Sequence, residues 1–320
     1  MSTAHAVGAD STTDRPELGS GRSGSPGRQA PSGRRRRTAT PYLYLAAPAV
    51  VFAALVIGPF LHTIYLSFVE WDGLNEMEFV GLSNYTDALT DAELRASFRH
   101  TLVLILFFSV FPIALALIAV SIMIGARDMR GLGFYRSVLF IPQVITMAVV
   151  GIVWGWIYGS DGVVNQFLGA VGLDSWERAW LGDFTWALPA LGFVGTWLMT
   201  GFVFVLFLSG AQRIPIELYE ACKTDGGGYW AQLWHVTLPG LRGEFVVSLT
   251  LTVIAALRTF DLAFIMTKGG PGTSTQVPAL DIYERAFRQG AIGSAAAVAT
   301  ILTVIVFGAT YLIGRIDRTG

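Results

Sequence analysis

The residues that could carry out chemistry are few and widely spaced in this chain of 320 residues. It contains four histidines and one cysteine: His5, His62, His100, His235 and Cys222. The histidines lack the close spacing of metal ligands, and a lone cysteine excludes an intramolecular disulfide or a multi-cysteine metal site. No serine, histidine and aspartate set and no glycine-flanked nucleophile stands out. The sequence therefore predicts that the chain is not an enzyme and has no catalytic, cofactor-binding or metal-binding residues.

Nucleotide binding by the chain itself is also not expected. The two lysines, Lys223 and Lys268, do not complete a Gly-x-x-x-x-Gly-Lys-Ser/Thr phosphate loop. The glycine-rich run Gly269-Gly270-Pro271-Gly272 is better explained as a tight turn, because glycine adopts positive φ without strain.

Two charged residues, Arg258 and Asp261, interrupt the otherwise apolar stretch from Phe245 to Thr267. Their i, i+3 spacing would allow mutual neutralisation on one helix face, as a structural ion pair. Alternatively, they line the path of a solute or adjust a switch between two conformations. Ion-coupled secondary transporters also carry ionisable residues within the membrane, so that class stays open as a less favoured alternative.

Polar residues are concentrated in one long segment between apolar stretches, residues 213–242. Pro215 suits the first position of a helix, and Glu217 and Glu220 then lie near the positive end of the helix dipole. The run Asp225-Gly226-Gly227-Gly228 would end that helix. Two adjacent helices need a much shorter connection, so this segment is the first place to look for function.

A second short helix is predicted from Tyr229 to Val236. The spacing of Trp230, Leu233 and Trp234 gives it one apolar face. Pro239 then biases the residue before it away from helix. Two short helices joined by a glycine turn could dock into a groove on a partner protein, or could lie on the membrane as an amphipathic hairpin.

The elements that must position these residues are membrane helices. The chain is 53% hydrophobic and 14% charged, with a mean hydropathy of +0.54, whereas about 25% of residues are charged in a typical soluble domain. This composition excludes a soluble protein and predicts one embedded in the lipid bilayer. The net charge of −1 provides no basic field for binding nucleic acid.

Six stretches are long enough to cross a bilayer as helices, which takes about 20 apolar residues each. The predicted spans are Tyr42–Phe68, Leu102–Ile124, Val138–Tyr158, Trp186–Leu208, Phe245–Met266 and Ile292–Gly314. Prolines and glycines within them, such as Pro142 and Gly151, could break helices to form a solute site or could permit close packing, and we favour close packing. The predicted fold is all-α and transmembrane.

The distribution of basic residues predicts the orientation of the spans. Fifteen lysines and arginines fall in segments on the side of both termini and six in segments on the opposite side, so both termini are predicted to be cytoplasmic. The predicted organisation is a disordered basic cytoplasmic tail (1–40), a first transmembrane helix with an external segment (41–96), a core of helices 2 to 6 (97–314) and a cytoplasmic end (315–320).

The 213–242 segment resembles the EAA motif of bacterial ABC importer permeases. The resemblance rests on Glu220-Ala221-Cys222, three further residues, Gly226, nine further residues, and Val236-Thr237-Leu238-Pro239. The spacing matches throughout, and Cys222 stands where the family usually has a second alanine. The resemblance implies that this segment is a cytoplasmic coupling loop. By the same resemblance, the residues that couple the chain to an ATPase are Glu220, Ala221, Gly226, Leu238 and Pro239.

Further segments are similar to carbohydrate-uptake permeases, and in particular to the larger permease subunit of maltose-type and glycerol-3-phosphate-type importers. These segments are Phe79–Tyr85, Phe134–Pro142, Trp154–Asn165, Phe260–Asp261 and Thr267–Thr275. The resemblance implies the permease core of a type I ABC importer. It also implies that the solute is a sugar or an oligosaccharide, with glycerol-3-phosphate or another small polar solute as the alternative.

The resemblance implies a set of partners as well. The chain would form a heterodimer with a second permease, bind two ATP-binding cassette subunits, and receive its solute from an extracytoplasmic solute-binding protein. ATP and magnesium would be held by the ATPase subunits. Closure of the ATPase dimer would then drive alternating access through the coupling loop.

Overall fold

The computed structural model describes residues 40–125 and 132–318. It divides into two units, Met1–Val51 and Phe52–Gly320. Residues 1–39 of the predicted basic tail lie outside the described residues. The basic residues between 126 and 131 lie outside them as well. The description that follows concerns the second unit, apart from the bounds of the first helix.

The described chain is almost entirely helical, with one two-stranded antiparallel hairpin. In chain order its elements are α1 (Thr40–Phe52), α2 (Gly58–Leu66), β1 (Val69–Glu70), β2 (Glu78–Phe79), α3 (Ser83–Thr90), α4 (Ala92–Ile105), α5 (Phe111–Gly125), α6 (Leu132–Val144), α7 (Met147–Ile157), α8 (Val163–Ala170), α9 (Ala187–Ala211), α10 (Ile216–Thr224), α11 (Tyr229–Gln232), α12 (Leu238–Gly240), α13 (Arg242–Leu257), α14 (Pro278–Phe287) and α15 (Ile292–Arg318). Single π-helical turns at Ala53–Ile57 and Leu106–Val110 join α1 to α2 and α4 to α5.

The all-α transmembrane fold predicted from the sequence is confirmed. Four helices in the described residues are long and apolar enough to cross a membrane, and the number rises to six if each of two bent helix pairs is one span. The four are Tyr44–Leu66, Ala92–Met123, Ala187–Ala211 and Ile292–Arg315. They correspond to the first, second, fourth and sixth predicted spans.

The third predicted span, Val138–Tyr158, is wrong as a continuous helix. It is a bent pair, with an angle of 106° between its two helical parts. Pro142 has no N–H to donate to the preceding turn, and the N–H of Ile145 bonds to the carbonyl of Pro142 instead of continuing the regular ladder. Thr146 is then extended, with ψ of 143°, and α7 begins after it. The helix therefore breaks after Pro142, whereas we favoured close packing as the role of the prolines and glycines within the spans.

The fifth predicted span, Phe245–Met266, is also not continuous. The second bent pair is Tyr229–Gly240 with Arg242–Leu257, at an angle of 73°, so it shares only Phe245–Leu257 with this prediction. Helix α13 ends at Leu257, and a separate π-helical turn occupies Ala263–Thr267. The regular hydrogen-bond ladder is lost at Thr259, whose backbone N–H bonds to the carbonyl of Ala256, while its hydroxyl donates to the carbonyl of Ala255 at 2.9 Å.

Helix α9 is the centre of the second unit. It packs against α4, α5, α6 and α13, and most of its side chains are buried. One apolar cluster around it joins α4, α7 and α14, and includes Phe108 and Leu191. A second cluster joins α5 and α9 to the 213–242 segment, and includes Phe204 and Phe207. The 213–242 segment is thus part of the packed structure.

Candidate functional site

The 213–242 segment forms the two short helical parts predicted from the sequence. Helix α10 begins directly after Pro215 and ends at Thr224. The chain then reverses at Gly226, whose φ of +81° lies in the left-handed region that favours glycine. The second part runs from Tyr229 to Gly240 as α11, a π-helical turn and α12.

The expectation that Pro239 would keep Leu238 out of a helix is wrong. The helix continues through Leu238 to Gly240 because a π-helical turn, Leu233–Thr237, precedes the proline. In this turn the N–H of Leu238 bonds to the carbonyl of Leu233. The wider turn accommodates a residue that lacks an N–H and would crowd the regular helix.

Two buried side chains and one hydroxyl contact hold this segment against the helix bundle. Tyr219 and Val236 lie in the apolar cluster shared with α5 and α9. The Tyr219 hydroxyl lies 3.2 Å from the Thr237 hydroxyl, within the segment. The Tyr229 hydroxyl lies 2.7 Å from the hydroxyl of Ser121, near the end of α5. The segment is therefore packed directly against α5 and α9.

Most of the residues assigned to coupling face outward from this support. Glu220, Ala221, Gly226 and Pro239 are exposed, and Leu238 is partly buried. The apolar face predicted for the second helix is divided, because Leu233 is buried whereas Trp230 and Trp234 are 66% and 61% exposed. The segment therefore presents an outward surface that contains acidic, small and aromatic residues. These positions are compatible with docking of a partner, and the coupling roles stay a prediction.

A contact that the sequence analysis missed joins the two ends of the segment. Arg213, before α10, forms an ion pair with Glu244 in the first turn of α13. The two residues are 31 positions apart, so no local spacing could indicate the pair. Only the packing of α9 beside α13 brings them together.

Arg258 and Asp261 line one cavity of about 300 Å³. Its other walls are mainly apolar and come from Phe108, Met147, Leu251, Ile254, Ala255, Thr259, Phe260 and Leu262. The expected i, i+3 pairing on a continuous helix is wrong, because the helix ends at Leu257. The four ion pairs within the described residues do not include these two side chains, both of which are exposed.

Within the part of the chain that the structure describes, no group of three or more histidine, cysteine, aspartate or glutamate side chains could hold a metal ion. The described site consists of the exposed surface of the 213–242 segment, which packs on the helix bundle, and of a partly polar cavity among the apolar helices.

Comparison with protein families supplies the context for this geometry. The family model described as "Binding-protein-dependent transport system inner membrane component" matches residues 101–319. This range includes the 213–242 segment and also Arg258 and Asp261, which line the cavity of about 300 Å³.

Curated relatives are similar over nearly the whole chain. The probable ABC transporter permease protein YurN of Bacillus subtilis is 32% identical, over 88% of this chain and 96% of the relative. The diacetylchitobiose uptake system permease protein NgcF of Streptomyces coelicolor is 33% identical, over 87% of this chain and 82% of the relative.

A solved structure shares the fold. It is the crystal structure of a bacterial ABC transporter involved in the import of the acidic polysaccharide alginate. One of its chains matches with a TM-score of 0.70 and 22% identity, over 87% of this chain and 96% of that chain. Together with the family match, these similarities show that the chain belongs to the inner membrane components of binding-protein-dependent transport systems, the ABC transporter permeases.

Proposed function

We propose that this permease is one of two membrane-spanning subunits of an ATP-driven importer. The observation that carries the proposal is the 213–242 segment, which is anchored by Tyr219, Tyr229 and Val236 and leaves the motif residues Glu220 and Gly226 exposed. Such a surface suits a groove on a separate protein, because its own backbone is already held by buried contacts.

The proposed partners are those that membership of the ABC transporter permeases implies. Two ATP-binding cassette subunits hold ATP and magnesium and carry out hydrolysis, and this chain has no catalytic role. A second permease forms a heterodimer with it, and an extracytoplasmic binding protein delivers the solute. Closure of the ATPase dimer moves the 213–242 segment, which alternately opens the pathway to the two sides of the membrane. Glu220, Ala221, Gly226, Leu238 and Pro239 contact the ATPase.

The solute class is a sugar or an oligosaccharide. Relatives are named for uptake of diacetylchitobiose, starch degradation products and sulfoquinovosyl glycerol. Arg258 and Asp261 offer hydrogen bonds within a cavity that also has the aromatic side chains Phe108 and Phe260 in its walls. Charged groups in an apolar helical region belong where water or a polar solute can reach them. Glycerol-3-phosphate is the second candidate, because Arg258 could pair with a phosphate.

The orientation is the one indicated by the basic residues, with both termini and the 213–242 segment in the cytoplasm. The β1–β2 hairpin and α3 then lie outside. This places the outward surface of the segment on the side of the membrane where ATP is available.

Uptake and copurification test the proposal together. The full chain, expressed with its own partners, should copurify with an ATPase and support solute uptake that requires ATP. Glu220→Lys should leave the protein inserted but abolish uptake, because it reverses an exposed charge on the docking surface. Glu76→Lys makes the same charge change at an exposed position in the β1–β2 loop and should leave uptake unchanged.

Other results would contradict the proposal. Wild-type uptake by the Glu220→Lys variant would remove the coupling role of this residue. Solute transport by the purified chain alone along an ion gradient would favour an ion-coupled secondary transporter instead.

A further inference from the structure

We propose that the Arg213–Glu244 ion pair transmits movement of the 213–242 segment to α13 and, through α13, to the cavity that Arg258 lines. The inference rests on the proposed function and adds to it a pair of positioning residues outside the EAA motif. It is carried by four features of the described residues, namely the location of the pair, its packing, the cavities on either side of it, and the face of α13.

The pair lies where the 213–242 segment meets the helix bundle. Arg213 follows the end of α9 by two residues, and Glu244 is the third residue of α13. Every residue of α10, α11 and α12 lies between them in the chain. The pair therefore connects the helix that enters the segment to the helix that leaves it.

The two side chains of the pair differ in how far they are exposed to solvent. The side chain of Arg213 is 72% exposed, whereas that of Glu244 is 14% exposed. Glu244 lies close against Gly210 of α9, where an added Cβ would come within 2.5 Å of the Glu244 carboxyl carbon. Glu244 is thus a fixed acceptor, and Arg213 is a solvent-facing partner that can leave and return.

The pair also separates two cavities. A cavity of about 640 Å³ lies among the spans, with Phe202, Val205 and Val247 in its walls. Another, of about 440 Å³, lies under the segment and is lined in part by Leu218 and Pro239. Arg213 and Glu244 line both cavities. A shift of the pair would change the shape of both spaces at once.

One face of α13 continues from the pair to the smaller cavity. Glu244, Val247, Leu251, Ile254 and Arg258 follow each other at intervals of three or four residues, which places them on one side of the helix. Glu244 and Val247 line the 640 Å³ cavity, and the other three line the 300 Å³ cavity. None of the five is buried, whereas Val246, Val253 and Ala256 on the opposite face are.

A helix of this length transmits displacement as a rigid element. The rise of 1.5 Å per residue puts Arg258 about 21 Å from Glu244 along the axis. Holding the Glu244 end against α9 fixes the tilt of α13, and releasing it frees the Arg258 end to move. Because the Arg213 side chain faces solvent, it can leave Glu244 and return without unfolding of the chain.

The test uses the assembly that copurifies with the full chain, reconstituted in lipid vesicles with its binding protein. The variants are Arg213→Gln, Glu244→Gln and the double variant. The two readouts are solute molecules imported per ATP hydrolysed and the ATPase rate without solute. Arg288→Gln is the matched control, because Arg288 is 69% exposed and pairs with Glu284, which is 24% exposed, in a helix outside the 213–242 segment.

Each single variant should lower the import per ATP by about fivefold or more, the lower end of what coupling between sites usually gives, and raise the ATPase rate without solute. The double variant should be no worse than either single variant, since the two groups act as one unit. The inference is overturned if the single variants match Arg288→Gln, or if their effects add. If wild-type assembly shows no ATP-driven import, the proposed function fails and this inference fails with it.

Discussion

Gly226 is the residue of the 213–242 segment whose backbone allows the fewest replacements. Its φ of +81° is accessible to other residues only at a cost of about 1–2 kcal/mol, while no atom beyond its chain neighbours lies within 4 Å of the position of an added Cβ. Gly226→Ala therefore strains the turn without a steric clash. We expect normal insertion and uptake reduced by about 5- to 30-fold, because this cost falls on the turn conformation that docks.

Gly228→Ala is the matched control for this prediction. Gly228 lies two residues further along, has a φ of −77° and also has an open Cβ position. Uptake should be unaffected by this change. Equal loss of uptake in both variants would mean that the backbone conformation at Gly226 is not what matters.

Arg258 and Asp261 are predicted to contribute to uptake independently of each other. Because the helix ends between Leu257 and Asp261 and the two charges are not paired, neutralising both should not restore what neutralising one removes. Arg258→Gln and Asp261→Asn should each reduce uptake, and the double variant should be at least as poor. The measurement is the initial rate of uptake over a range of solute concentrations.

Lys268→Gln is the control, since Lys268 is an exposed cation nearby that does not line the cavity. Rescue of uptake in the double variant would contradict this prediction and would favour a structural ion pair that forms in another conformation.

At the residue scale, fixed spacing of residue types assigns Glu220, Gly226 and Pro239 to coupling, and these roles stay a prediction. The glycine run predicted the end of α10, which lies at Thr224, just before the left-handed Gly226. The Arg213–Glu244 pair could not be predicted, because its partners are neighbours only after α9 and α13 have packed together.

The start of α4 illustrates how electrostatics stabilise an element. Asp91 caps this helix by accepting hydrogen bonds from the backbone N–H groups of Glu93 and Leu94, and also pairs with Arg285 of α14. Burial by itself would raise the pKa of Asp91, but the hydrogen bonds from Arg285 and the backbone outweigh it and hold the pKa below its usual value. Arg285 also bonds Asp281, whose pKa is raised by burial.

A lowered pKa of Asp91 predicts the sign of a pH effect on stability. The carboxylate contributes stability above its unfolded-state pKa of about 3.9, and this contribution is lost as the pH falls through the lower folded-state value. Asp91→Asn keeps a capping side chain but loses the charge. It should therefore lower stability at pH 7 by about 1 kcal/mol, with a smaller difference from wild type below about pH 4.

Thermal unfolding of the detergent-solubilised protein across this pH range is the measurement. Asp183→Asn is the control for capping alone, since Asp183 accepts from the backbone N–H groups of Thr185 and Trp186 and belongs to none of the four ion pairs in the described residues. A difference for Asp91→Asn that did not shrink in acid would contradict the assigned role of the charge.

At the element scale, hydropathy predicted where helices cross but not where they break. The second, fourth and sixth spans were found within several residues of their ends, except that the second begins ten residues earlier, at Ala92. The break at Thr146 depends on its extended backbone, and the break after Leu257 on backbone hydrogen bonds of Arg258 and Thr259 to local carbonyls. The mean hydropathy of a window of about 20 residues does not depend on such hydrogen bonds, so it cannot predict the break.

For the molecule as a whole, the scarcity of charge predicted a membrane protein, and the length of its apolar stretches, about 20 residues each, predicted that helices cross the bilayer. The shape of the pathway could not be predicted, since its walls come from residues far apart in the chain, such as Phe108, Met147 and Asp261. The proposed orientation fixes the side of the membrane on which the 213–242 segment lies, and therefore which partners can reach it.

Cysteine labelling tests this orientation, and the single native Cys222 makes the design simple. In a Cys222→Ala background, Glu76→Cys and Asp225→Cys each provide one exposed thiol, the first in the β1–β2 loop and the second in the 213–242 segment. A membrane-impermeant maleimide should label Glu76→Cys in intact cells and Asp225→Cys only in inside-out vesicles. The reverse pattern would put the segment outside, away from ATP, and would contradict both the orientation and the proposed coupling role.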